Sequence, residues 1–245
     1  MSAHLSRLER ELAHDREIAA RAEQIWNWDS PAGRRRADRR AGLYIERAAL
    51  RPGCLALELG CGTGLFLERV ARSGATLVGI DVSVDLLGRA RSRTGPLANV
   101  RILEGDAHRL PFPDATFDAV YGSSILHHLD LFASLREAKR VLKVGGRVVF
   151  TEPNLLNPQV AYMYYVGPRE RFGLSVDEMA FTKTRVTGVL RELGYVDAAV
   201  EFFDFLHPST PPPILGAVAR IGAVLEGLPV IRGLAGSLLV CAARG

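Results

Sequence analysis

The sequence predicts a doubly wound α/β fold, with a sheet of about seven strands, mostly parallel, and helices on both faces. Two observations predict it. From residue 54 onward, short β-rich apolar runs alternate with stretches of helical periodicity, an order that calls for parallel strands joined by right-handed crossovers. The first of those runs breaks into three alternate glycines just before a helix begins, the place where open α/β sheets hold nucleotides. A chain of 245 residues with 48% hydrophobic content can bury the core such a sheet needs.

Residues 4–28 place Leu5, Leu8, Leu12, Ile18 and Ile25 at helical spacing among charges and close in Trp26-Asn27-Trp28-Asp29-Ser30-Pro31, which predicts a helical arm ending in an aromatic turn. A second helix is predicted over 34–50, stopped by Pro52-Gly53. Arg34, Arg35, Arg36, Arg39 and Arg40 crowd its start, where the helix dipole disfavours cations. They form either a solvated face or a contact for phosphate on an acceptor.

Strands are predicted at 55–59, 76–81, 99–104, 117–122 and 147–152, with helices at 64–73, 83–93 and 131–142 between them. An insert at 153–183 follows, holding Tyr162, Tyr164, Tyr165 and the segment from Ser175 through Val176, Asp177 and Glu178 to Phe181. A helix at 184–193 leads to a strand-like run reaching Leu206. A Pro-rich break at 208–213 then opens an apolar helix at 214–225, and a last strand covers 237–243. This divides the chain into an N-terminal helical arm or lid, 1–50, and one nucleotide-binding domain, 51–245, with inserts at 153–183 and 208–236.

Basic residues exceed acidic ones by 31 to 27, so a nucleic-acid partner is permitted but not indicated. Cys54, Cys61 and Cys241 are widely spaced, which argues against a disulfide framework and fits a reducing, cytoplasmic setting. Charges punctuate the first thirty residues, and the most apolar stretch, 214–231, is broken by Arg220, Glu226 and Pro229. Neither an export signal nor a membrane span is expected. No metal-ligand constellation is visible in the spacing of Cys, His and acidic residues.

In Leu57-Glu58-Leu59-Gly60-Cys61-Gly62-Thr63-Gly64-Leu65-Phe66 the glycines let the chain turn sharply and let backbone N–H groups approach a ligand at a helix start. Nicotinamide-binding loops space their glycines GxGxxG. The spacing here is GxGxG. Asp81, ending the second strand in Gly79-Ile80-Asp81-Val82-Ser83, can accept hydrogen bonds from both hydroxyls of a ribose, or can cap the following helix.

The GxGxG loop with Glu58 two residues before it resembles motif I of the class I S-adenosylmethionine-dependent methyltransferases, a Rossmann-like family. Gly105-Asp106-Ala107 matches the position where that family holds adenine, and Leu110-Pro111-Phe112 and Val141-Leu142-Lys143-Val144-Gly145-Gly146 resemble its later segments, Val144 replacing a usual proline. Ser123-Ser124-Ile125-Leu126-His127-His128-Leu129 looks like the small-molecule, type 11 branch. The resemblance covers residues 55–151. It implies S-adenosylmethionine as donor and S-adenosylhomocysteine as product. It assigns donor binding to Glu58, Gly60, Cys61, Gly62, Thr63, Gly64, Asp81, Val82, Asp106, Ala107 and Ser123.

His127 and His128 follow the fourth strand at the carboxyl end of the sheet, where ligands of such folds bind, and either imidazole can take a proton from an acceptor or serve to shape the pocket. Glu152, in Glu152-Pro153-Asn154, is expected at the pocket rim as base, acceptor ligand or turn cap. His207 is a further, plainer candidate. Trp26, Trp28 and the tyrosine-rich insert form a lid or dock added helices on the core. The helix at 214–225 is core, a dimer face, a wall for a lipid-like acceptor or a peripheral membrane contact.

The expected reaction is methyl transfer to an oxygen, or else a nitrogen or carbon, of a small or lipid- or glycan-linked acceptor. Two alternatives stand beside it: a tRNA-modifying methyltransferase, and a protein that binds the donor without turnover. Against base-amine methylation, Tyr121-Gly122-Ser123-Ser124 stands where such enzymes carry [DN]PP[YF].

Overall fold

A computed structural model describes residues 2–172, 174–175 and 178–245, excepting the side chains of residues 2–7, 11, 170 and 171. The side chain of Leu5, and Val176 and Asp177 of the insert, therefore lie outside the described residues. The chain opens with α1 (Ser2–Ile18), a 3-10 turn and α2 (Ala22–Ile25), followed by α3 (Pro31–Arg47). It continues as β1 (Leu55–Leu59), α4 (Leu65–Val70), β2 (Thr76–Asp81), α5 (Val84–Thr94), β3 (Val100–Glu104), β4 (Phe117–Ser123), α6 (Leu131–Val141) and β5 (Leu142–Pro153). The last part holds α7 (Pro158–Tyr165), α8 (Lys183–Glu192), β6 (Tyr195–Phe203), α9 (Leu215–Gly227) and β7 (Ser237–Arg244).

Among the described residues the strands form one seven-stranded sheet in the order β3-β2-β1-β4-β5-β7-β6. Its first five strands run parallel, and β7 lies antiparallel between β5 and β6. Apolar residues on consecutive positions of β1 and β4 reflect burial on both faces. Leu57, Leu59 and Val120 pack with Leu135 and Ala138 of α6 and Val186 and Leu190 of α8. Ala56, Ala119 and Tyr121 pack with Tyr44 of α3, Leu67 of α4 and Leu87 of α5. The alternation of side chains along each strand thus builds one core layer per face.

Two of the boundaries that differ from expectation have a local cause. Helix α3 starts at Pro31, with Ser30 accepting the Gly33 N–H at 2.9 Å. Proline at the first position and a capping hydroxyl suit a helix start better than Arg34 does, and the arginines move inward by a turn. Strand β5 starts at Leu142, because Gly145 adopts φ 78° and lets the chain stay in the sheet across an irregularity opposite Phe117–Ala119. No helix of the described residues is long and apolar enough to cross a membrane.

The order reverses at β1, with β2 and β3 to one side and β4 to the other. Loops leaving the carboxyl ends of β1 and β4 therefore diverge and leave a crevice between them.

Candidate active site

That crevice is a cavity of about 990 Å³ at the carboxyl ends of β1, β2 and β4. Gly60, Gly62 and Gly64 all sit at positive φ, 63°, 48° and 76°, a region that side chains beyond glycine rarely enter. At Gly60 a Cβ would also come within 2.3 Å of Ile125. Gly62 opens to the cavity, where the Trp26 ring closes over it, 3.8 Å from the position a Cβ would take. Gly64 does not line the cavity: it turns toward α5, where a Cβ would stand 3.1 Å from Ala90, so its role is helix packing.

The rest of the loop is held by short bonds. Asp81 accepts the N–H of Gly62 at 2.8 Å and that of Ser83 at 2.9 Å, so its carboxylate ties the glycine loop to the start of α5. Thr63 is buried, its hydroxyl bonded to Arg93 at 3.0 Å. Cys61 is buried too, and burial pushes its thiol pKa well up, so it contributes packing and backbone, not a nucleophile.

Glu58 lines the cavity at 1% exposure, and its Oε2 has no hydrogen-bond partner among the described residues. Burial, with the Asp81 charge beside it, pushes its carboxyl well above the usual carboxylate range. A buried acceptor without a donor costs about 1–3 kcal/mol. A cationic ligand in the cavity would meet that deficit. Val82, Ala107 and Asp106 line the wall opposite. Asp106 accepts the His108 N–H and pairs with the His108 ring, each at 2.8 Å, and His108 Nε2 in turn accepts the Asp130 N–H.

At the end of β4, Ser124 takes φ 53° and turns the chain into a 3-10 helix carrying His127 and His128. Glu152 lies beneath this turn, fully buried and away from the cavity lining. It accepts the N–H groups of Ile125, Leu126 and His127 at 3.0, 2.9 and 3.3 Å and pairs with His127 Nδ1 at 2.8 Å. With four donors on its two oxygens it cannot stand at the pocket rim as expected from its place at the end of β5. Its geometry is that of a clamp on the histidine turn.

Both histidines do line the cavity, and Glu178 from the insert joins them. Its Oε2 lies 3.5 Å from His127 Nε2 and its Oε1 3.9 Å from His128 Nδ1. Burial alone would raise this carboxyl, but the charge of His128, contact with His127 and the Ser175 N–H prevail and hold its pKa at about 2. The donor atoms of His127, His128 and Glu178 fall within 4.8 Å of one another, a set that spacing in the sequence does not reveal. The Tyr164 ring stands edge-on to His127 at 6.2 Å.

Of the arginines crowding the start of α3, Arg34, Arg35 and Arg39 stay exposed, Arg39 while paired with a carboxylate, and Arg36 and Arg40 turn inward to one. Arg40 is 3% exposed and donates to the hydroxyls of Ser123, Ser124 and Ser237 at 3.1, 3.2 and 2.9 Å. Asp204, at φ 76°, receives Arg36 at 2.7 Å and Arg40 at 3.7 Å, while Arg39 pairs with Glu226. The guanidinium carbons of Arg36 and Arg40 stack over Trp28, 5.3 and 5.0 Å from its ring. Ser123 thus serves as an acceptor for Arg40 at the cavity floor. Of the two tryptophans, Trp28 docks the arm and Trp26 roofs the loop. His207 sits farther along the wall, bonded to Gln159 at 2.7 Å.

Residues 57–150 match a family model described as a methyltransferase domain. A demethylmenaquinone methyltransferase of Geobacillus is 30% identical over 185 residues, covering 66% of this chain and 79% of that protein. One from Tropheryma whipplei is 39% identical over 133 residues, 51% of this chain and 54% of its own. The chain spans about half or less of the length of most curated relatives it matches. Among solved structures, the [4+2]-cyclase SpnF shares 26% identity at a TM-score of 0.60, covering 84% of this chain and 80% of that one. The family match lies on the strand-loop-helix frame of the cavity, and with the Geobacillus relative it identifies this chain as a member of the class I S-adenosylmethionine-dependent methyltransferases, type 11 branch.

Proposed function

We propose that this protein moves a methyl group from S-adenosylmethionine to an oxygen of an apolar small-molecule acceptor, with His128 taking the acceptor's proton. The donor, when bound, supplies a methyl carbon on a sulfonium, already activated toward a nucleophile. The residues fit such a group: Gly62 leaves room for close backbone approach, and Glu58 offers an unbonded buried carboxylate oxygen to an ammonium. Asp81 and Asp106 stand at the strand ends where ribose and adenine would lie. Ser123 and Arg40 close the floor.

The observation that carries the reading is the pairing of His128 with Glu178 at the cavity wall, 3.9 Å apart. His127 is committed to Glu152 on one side and faces Glu178 on the other. His128, with 23% of its side chain exposed against 6% for His127, is the more accessible imidazole of the two. A carboxylate ionised far below neutrality stabilises the imidazolium that forms, so Glu178 positions and supports the base, as Glu152 positions the turn. Val160, Met163 and Leu206 make the nearby wall apolar, which suits an acceptor such as that named for the demethylmenaquinone methyltransferases.

Calorimetry with donor and its demethylated product, together with methyl transfer to a panel of hydroxylated apolar acceptors, tests this. Asp81→Ala should abolish donor binding. His128→Ala should keep it while lowering kcat by about 10²- to 10⁴-fold; unchanged kcat removes His128 from the chemistry. The likeness to a cyclase favours a second reading, in which the cavity shapes a reaction without transfer. Turnover that leaves product mass without an added methyl would select it.

A further inference from the structure

Helix α9 is apolar on two faces. Gly222 on its inner side is buried, and a Cβ there would lie 3.2 Å from Phe205. On the outer side Ile214, Ile221, Val224 and Leu228 are 50, 59, 66 and 41% exposed. With exposed Ala217 between them, they recur every three or four residues, the spacing by which a helix normally seats its core stripe. Val230 and Leu234 continue the ridge at 88 and 48% exposure. Contiguous apolar surface of this kind marks a contact site.

The exposed charges within residues 214–234, Arg220 and Arg232, are both positive. Between residues 205 and 245 the sequence holds one carboxylate side chain, Glu226. It is drawn inward by Arg39 and by the Asp204 N–H, at 2.7 and 2.8 Å. An apolar ridge flanked by cations complements an anionic lipid surface, into which such a helix sinks about 5–10 Å. A second copy of the same ridge would set Arg220 and Arg232 against like charges.

The ridge also continues into the cavity wall. Phe205, under Gly222, lines the cavity, as does Asn157, whose amide donates to the Leu234 carbonyl at 2.7 Å. We propose that α9 and the turn after it dock the protein on an anionic bilayer, so that a lipid-borne acceptor enters the cavity from the membrane. The acceptor half of this inference rests on the methyl-transfer reading above, whereas the docking half does not.

Flotation of the full chain with phosphatidylglycerol and with phosphatidylcholine vesicles tests it, beside donor calorimetry and light scattering on the same preparation. The expected result is flotation with the anionic vesicles, weakened by salt, and reduced about tenfold or more in the double variant Ile221→Glu, Val224→Glu. Donor binding by that variant should be unchanged, since both positions are on the surface. Failure to float with phosphatidylglycerol overturns the docking. So does a dimer in light scattering that the double variant dissociates, which would assign the ridge to a second copy. Flotation without any donor binding would keep the docking and discard the acceptor half with the methyl-transfer reading.

Discussion

Glu58 serves two states that want different things. In the free protein its carboxyl is buried without a partner for Oε2 and its pKa is raised, so ionising it works against the fold. In the proposed complex the same oxygen meets a cation. Glu58→Gln should therefore raise the Tm of the free protein near neutral pH by about 2–4 °C, the shift expected for roughly 1 kcal/mol in a chain of this size. Calorimetry on the same variant should show donor affinity falling about tenfold or more, the loss of one charge-assisted bond. A stabilised variant with wild-type affinity would separate Glu58 from the donor. Glu152 shows how a residue's place in the chain misleads: it stands at the pocket end of β5, yet four inward donors fix it below the histidine turn.

At the scale of elements, α3 is more than an arm. Arg40 places a charge in the core between β4, β5 and β7, where its neighbours are the hydroxyls of Ser123, Ser124 and Ser237 and the Asp204 carboxylate. Burial, and then Arg36, lower its pKa, while Asp204 and Glu152 oppose that. Arg40→Ala leaves Asp204 buried with one partner fewer. A loss of about 3–5 kcal/mol is expected, read as a fall of roughly 10 °C in Tm by calorimetric scanning. A change within a degree or two would mean that the network is neutral. The helical spacing of the arm was legible, and so was the crowding of arginines. What they paired with was not, because Asp204 and Glu226 lie more than 160 residues along the chain.

For the whole molecule, two carboxylates give stability opposite pH dependences. Glu178 has its folded pKa at about 2, against 4.5 for an ordinary glutamate, so its contribution is present above pH 4.5 and is lost as pH falls toward 2. Glu58 has its folded pKa raised, so its contribution is largest below pH 4.5 and declines as pH rises beyond it. Thermal scans from pH 2.5 to 7 should show a flatter acid limb in Glu178→Gln. They should also show a gap between Glu58→Gln and wild type that widens as pH rises from 4.5. Parallel curves for wild type and Glu178→Gln would detach Glu178 from the histidines.

By itself the sequence determined the doubly wound sheet, its mostly parallel strands and the glycine loop that lines one end of the cavity. These follow from period-two and period-3.6 patterning and from glycines whose positive φ is a local requirement. Gly60 and Gly62 could thus be placed from spacing alone, whereas Gly64, alike in sequence, faces α5. Tertiary structure alone decided the rest of the cavity wall. It set Glu152 beneath the histidines, brought Glu178 across from the insert, withdrew Arg36 and Arg40 into ion pairs and turned the ridge of α9 outward. Each of those outcomes depends on which distant group supplies a partner in a low-dielectric interior, where an unpaired charge is costly. Periodicity carries no information about that partner.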